Sequence, residues 1–112
     1  MERDYEIRDS YLIIHIGKEL DHHRTEQLRA CMAKIDRERE IKNMIFDFSD
    51  TTFMDSSGVG MIIGRYRDLS MSGGSVYAAG VCPVVEKLFY VSGLHKIIKV
   101  YSSVEDVFNG QK

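Results

Sequence analysis

One proline, two cysteines and no tryptophan are what this chain of 112 residues has least of. With Pro83 alone, no Pro-rich linker divides it. One domain spanning residues 1–112 is expected, because a single core commonly carries about 100–150 residues. Cys31 and Cys82 are far apart and lack the Cys-x-x-Cys spacing of zinc or redox sites. Cys31 falls on an apolar helical stripe and is expected to pack as a small hydrophobe. Neither a disulfide nor a metal site is expected. Charge of one sign is also missing: the net charge is −2, with no basic excess to grip nucleic acid. No apolar run approaches the roughly 20 residues of a membrane span. Met1-Glu2-Arg3-Asp4 is charged and lacks the apolar core of a secretion signal. The chain is therefore expected to be cytoplasmic, with neither nucleic acid nor membrane as a direct partner.

What is present alternates between strand and helix patterns. Tyr5-Glu6-Ile7-Arg8 and Tyr11-Leu12-Ile13-Ile14-His15-Ile16 flank the turn pair Asp9-Ser10 and read as a hairpin. Asp21 is placed to N-cap a helix whose stripe is Leu28, Cys31, Met32 and Ile35. Its other face carries Arg29, Lys34, Arg37, Glu38 and Glu40 and reads as solvated. Asn43-Met44-Ile45-Phe46-Asp47-Phe48 is a nearly continuous apolar run, suited to a strand covered on both faces. Val59, Ile62, Ile63 and Tyr66 give the next helical stripe. Gly60 and Gly64, one turn apart, are expected to let that helix approach the sheet closely, and Gly73-Gly74 to stop it. Ser75–Ala79 reads as a strand, Pro83 as the first turn of a third helix, and Ile97–Tyr101 as the last strand. Ser102 and Glu105 have capping-box spacing for a final short helix. The expected fold is α/β, in the order β-β-α-β-α-β-α-β-α, with a mixed sheet packed against helices.

The segment with most chemical potential is Asp55-Ser56-Ser57-Gly58, between a strand and a helix start. A helix N-terminus presents backbone N–H groups and the positive end of the dipole, so a phosphate there is tolerated. The plainer reading is that one serine caps the helix. Capping by Ser57 and modification at Ser56 are compatible.

Phe53-Met54-Asp55-Ser56-Ser57-Gly58-Val59-Gly60 resembles the phosphorylation-site motif of anti-sigma factor antagonists, in the STAS domain family. Gly17-Lys18-Glu19-Leu20-Asp21-His22-His23 resembles that family's loop before its first helix. Gly64-Arg65-Tyr66 and Ser92-Gly93-Leu94-His95-Lys96-Ile97-Ile98 are similar to its sporulation branch. The likeness runs from Tyr11 to about Tyr101. It implies a STAS-like fold and a partner switch rather than an enzyme. The partner implied is an anti-sigma factor that is also a serine kinase, holding ATP or ADP itself. Binding releases a sigma-F-type sigma factor, phosphorylation of Ser56 ends binding, and a serine phosphatase restores it. Asp21, Asp55, Ser56, Ser57 and Gly58 are the partner-binding residues so implied. The chain itself needs no cofactor.

Other readings have less in their favour. A hydrolase would pair Ser56 or Ser57 with His15, His22, His23 or His95 and with Asp47 or Asp55. No Gly-x-Ser-x-Gly elbow supports that. His22 and His23 are helix neighbours and cannot share a metal on one face. Gly58-Val59-Gly60 falls short of a phosphate-binding Gly-x-x-x-x-Gly-Lys loop. The main alternative is a STAS partner-binding or scaffold module in general stress signalling.

Overall fold

Leu12, Ile13 and Ile14 are all fully buried, although successive residues of a strand point to opposite faces. Strand β2 (Tyr11–His15) must therefore be covered on both sides. The computed structural model, which describes residues 4–110, shows how. Strand β1 (Tyr5–Arg8) pairs antiparallel with β2 as the hairpin reading requires, and Asp9 takes the left-handed turn conformation at φ 57°. Strand β4 (Asn43–Asp47) pairs parallel with β2, Tyr11 opposite Asn43 and His15 opposite Asp47. Strands β6 (Ser75–Ala79) and β7 (Lys99–Tyr101) continue the sheet in parallel, giving the order β1-β2-β4-β6-β7.

Three helices cover the front of this sheet: α1 (His22–Glu38), α2 (Ser56–Met71) and α3 (Pro83–Ser92). Their buried side chains join Leu12, Ile14, Met44 and Phe46 in the main core. The short α4 (Val104–Gly110) crosses the back, where Val107 packs with Ile13, Ile45 and Ala79. Burying a side chain such as Ile45 is worth about 1.5–3 kcal/mol, so this last helix is more than a tail. The continuous apolar run of β4 is explained: Met44 and Phe46 feed one core, Ile45 the other.

The expected mixed sheet and four helices are present, with two additions and several corrections. Strands β3 (Glu19–Leu20) and β5 (Phe53–Met54) form a separate two-stranded parallel sheet. At two residues each they are too short for any periodicity to reveal. The last strand begins at Lys99, not Ile97, because Leu94–Lys96 is a short 3₁₀ turn. Ser103 rather than Ser102 caps α4, accepting the Asp106 N–H on its hydroxyl at 3.1 Å. On α2 the buried residues are Gly58, Met61, Ile62 and Leu69, while Val59, Ile63 and Tyr66 remain half-buried. The stripe is turned because α2 also packs on α1, where Arg65 makes a bidentate pair with Asp36 at 2.7 and 3.4 Å. Gly60 and Gly64 consequently do not serve sheet packing: a Cβ at either would meet nothing within 4 Å. The one-domain expectation for residues 1–112 reaches residues 1–3 and 111–112, which lie outside the described residues.

Candidate functional site

Strands β2, β4 and β6 all end at the same side of the sheet, where parallel sheets usually carry their sites. The chain leaves β2 through Gly17 (φ 91°), forms β3, and enters α1; it leaves β4, forms β5, and enters α2. The register Glu19 opposite Phe53 and Leu20 opposite Met54 brings those two entries side by side. Each entry is an aspartate. Asp21 accepts the Arg24 N–H at 2.9 Å, and Asp55 accepts the N–H groups of Ser57 at 2.9 Å and Gly58 at 3.4 Å. The Asp55 N–H donates to the Leu20 carbonyl at 3.1 Å, locking one corner to the other.

The capping serine expected at α2 is thus corrected. Asp55 is the cap, and Ser56 and Ser57 are the first two helical residues. A carboxylate in the preceding extended position accepts the second and third N–H groups, which a serine already inside the helix cannot do. Ser56 is exposed. Ser57 is half-buried, and its hydroxyl lies 3.3 Å from His22 Nδ1, a hydrogen bond across the two helix starts. The helix end is therefore not an empty anion cradle, since the Asp55 carboxylate already occupies part of it.

Gly58 has a reason of its own. A Cβ there would lie 2.6 Å from Leu20 Cδ2 and 2.7 Å from Leu20 Cγ. Leu20 is fully buried and has little room to yield. The absent side chain is what lets α2 approach β3. Asp21, Asp55, Ser56 and Ser57 hence share one surface corner, while Gly58, expected to be a contact residue, is buried beneath it against Leu20.

Comparison with known proteins bears on what such a corner belongs to. Residues 2–107 match the STAS domain. The chain belongs to the STAS domain family. Within it, the chain groups with anti-sigma factor antagonists. It is 36% identical to the anti-sigma F factor antagonist of Paenibacillus polymyxa, over 82% of this chain and 79% of the relative. It is 24% identical to the anti-sigma-B factor antagonist of Staphylococcus aureus, over 88% of this chain and 90% of the relative. Solved structures of the anti-sigma factor antagonist SpoIIAA share the fold in two forms. The unphosphorylated form superposes with TM-score 0.82 at 32% identity, covering 94% of this chain and 91% of that one. The phosphorylated form, from Bacillus, gives 0.76 at 30% identity, covering 96% and 97%.

In this STAS domain the parts of a hydrolase are scattered. Asp55 faces backbone N–H groups, while Asp47 holds His15 at 2.9 Å and the Ser49 hydroxyl at 2.5 Å, on the back of the sheet. His95 stacks on Tyr90 beside α3, far along the chain from either serine. Only His22 meets Ser57, with no carboxylate to orient it among the described contacts. Cys31 is half-buried, and burial, reinforced by Asp4, pushes its thiol up, away from the reactive thiolate. Among the described residues no cluster of His, Cys, Asp and Glu could hold a metal. None of the helices there is long and apolar enough to cross a membrane.

Two residues hold the STAS corner from beneath, and the second was not singled out by sequence. Gly58→Ala gains roughly 1 kcal/mol of helix propensity but overpacks Leu20, typically at about 1–3 kcal/mol. A net loss of about 1 kcal/mol should appear as a lower urea midpoint, and a more stable variant would contradict the packing argument. Arg24 donates from Nε to the Ile16 carbonyl at 2.7 Å and from Nη2 to the His15 carbonyl at 3.0 Å and to Asp4 at 3.0 Å. It ties the end of β2 to the first turn of α1. Arg24→Ala should lower unfolding free energy by at least about 2 kcal/mol in chemical denaturation, since one hydrogen bond to a charged group is worth about 1.5–3 kcal/mol and the three, sharing one half-buried guanidinium, do not add in full. Arg24→Lys should restore little, lacking the planar fork. The pairing of the two corners and the His22–Ser57 contact join segments more than thirty residues apart, and no signal along the sequence announces them.

Proposed function

We propose that this anti-sigma factor antagonist is a cytoplasmic partner switch of the sigma-F, sporulation type, turned off by phosphorylation of Ser56. The observation that carries the reading is the exposed Ser56 at the first turn of α2, directly after the Asp55 corner that β3 and β5 hold beside the Asp21 corner. The 36% identity to an anti-sigma F factor antagonist supports the sigma-F assignment, and the phosphorylated form known for SpoIIAA supports modification. The unmodified protein binds an anti-sigma factor that is also a serine kinase with ATP or ADP bound, and a sigma factor is released. The kinase then moves the γ-phosphoryl group of ATP onto Ser56 Oγ; the hydroxyl proton leaves to a base on the kinase, and ADP remains. A serine phosphatase reverses the modification by hydrolysis. Asp21, Asp55 and Ser57 complete the contact surface, with Asp21 facing a basic residue of the kinase and the buried Gly58 supporting the corner from beneath.

Incubation with an anti-sigma F kinase and ATP, followed by phosphopeptide mass spectrometry, tests the assignment. Phosphate is expected on Ser56, whereas Ser57 is half-buried and engaged by His22. Phosphate on Ser57 alone would overturn it. Ser56→Ala should bind the kinase and never be released by it. The likeness to the anti-sigma-B factor antagonist favours a second reading, a module of general stress signalling. Tighter binding to an anti-sigma-B kinase than to an anti-sigma F kinase would select it.

A further inference from the structure

Helix α3 is apolar around most of its circumference yet lies at the surface. Val85 and Phe89 point into the core, while Val84, Tyr90 and Val91 are 66%, 70% and 72% exposed. A helix apolar all round is normally enclosed. The neighbours continue the pattern, since Phe53 of β5 and Val100 of β7 are exposed beside it. Five of the six large exposed apolar side chains of the described residues thus lie on or beside one helix, Phe53, Val84 and Val91 around one groove and Tyr90 and Val100 along another, with Met71 the exception. A groove of about 320 Å³ runs between Phe53, Val84, Leu88 and Val91, and Lys87 is the one charge on its rim. Contiguous exposed apolar surface of this kind marks an interaction site.

We infer that the outer face of α3, with Phe53, is the apolar half of the surface that grips the anti-sigma kinase. This rests on the reading of Ser56 as the phosphorylation site. The occupant follows from continuity: Phe53 and Met54 run directly into Asp55 and Ser56, so a kinase covering Ser56 also lies over Phe53 and the groove behind it. Charge argues against a second copy of this chain. A two-fold pairing of α3 about the groove sets Lys87 against Lys87, whereas a different partner can offer a carboxylate there. The two halves then have separate tasks. The aspartate and serine corner supplies charge and the switch, and the α3 face supplies apolar contact that phosphorylation leaves intact.

Two charge insertions test this while respecting the helix. Val84→Glu places its charge in the first turn and Val91→Lys in the last, where the helix dipole favours each. Both should melt as the parent does, and Met71→Lys, 83% exposed on the far end of α2, serves as control. Binding to the purified anti-sigma kinase with ADP, by calorimetric titration, should weaken at least about tenfold for Val84→Glu and Val91→Lys. It should not change for Met71→Lys. Unchanged binding by both α3 variants, or an equal loss in the control, overturns the inference. So does a parent dimer in analytical ultracentrifugation that the α3 variants dissociate, which gives the face to a second copy. Phosphopeptide mapping keeps the two ideas apart. Phosphate on Ser56 with unaltered α3 binding condemns only the α3 surface; phosphate elsewhere condemns the Ser56 reading.

Discussion

Phosphorylated on Ser56, the protein should bind its anti-sigma kinase at least about a hundredfold more weakly while keeping its circular dichroism and melting temperature. A phosphoserine brings about −1.5 to −2 charge. At the start of α2 that charge is favourable to the helix by roughly 0.3–1 kcal/mol. Asp55 already accepts the Ser57 and Gly58 N–H groups, so the phosphate finds part of the helix end taken and a like charge adjacent. The two contributions oppose each other, and the stability of the free protein should barely move. Ser56 is exposed, so water solvates most of the new charge. In the complex that solvation is lost. Two unit charges about 5 Å apart repel by roughly 3 kcal/mol at an effective dielectric near 20, or about a hundredfold in affinity. The interface contribution exceeds the helix contribution severalfold. Partial unfolding of the phosphoprotein, or undiminished binding measured by titration, would show that the switch works otherwise.

The aspartate corners show how far a sequence can be read. Asp21 was legible as a cap because an acidic residue precedes a helical stripe. Asp55 was not, because three residues in a row, Asp55, Ser56 and Ser57, are each good caps, and composition cannot choose among them. The choice is made by β5, which holds Asp55 extended against the Leu20 carbonyl and leaves the serines inside the helix. That strand is two residues long and exists only through its pairing with β3, a contact between segments more than thirty residues apart. Glycines divided in the same way. Gly73 was readable as a stop and takes φ 82°, but the glycine required for close packing is Gly58, not Gly60 or Gly64. Spacing along one helix says nothing about which turn a buried leucine from another segment will touch. The exposed face of α3 was hidden for a related reason: a run of apolar residues does not say which of them other segments will cover, and Val84 and Val91 are left uncovered.

Replacing Asp21 by asparagine should separate its two tasks. Its side chain accepts the Arg24 N–H at 2.9 Å, and asparagine offers the same oxygen in the same place. What disappears is the charge. At the α1 start this removes roughly 0.3–1 kcal/mol of favourable dipole interaction, so the melting temperature should fall slightly. If Asp21 also meets a basic residue of the kinase, the loss there is larger, because that cation is left desolvated and unpaired. Removing one member of such an interfacial pair typically costs about 2–5 kcal/mol. Affinity should therefore fall by about thirtyfold or more, read by calorimetric titration against the kinase. Asp21→Ala completes the comparison, since it deletes the cap as well. It should bind as poorly as Asp21→Asn yet be less stable, by about 0.5–2 kcal/mol relative to the parent. Raising the salt should narrow the affinity gap between parent and Asp21→Asn to the extent that solvent reaches the pair. Equal affinity of the parent and Asp21→Asn at low salt would reduce Asp21 to a helix cap and leave the kinase contact to the Asp55–Ser56 corner alone.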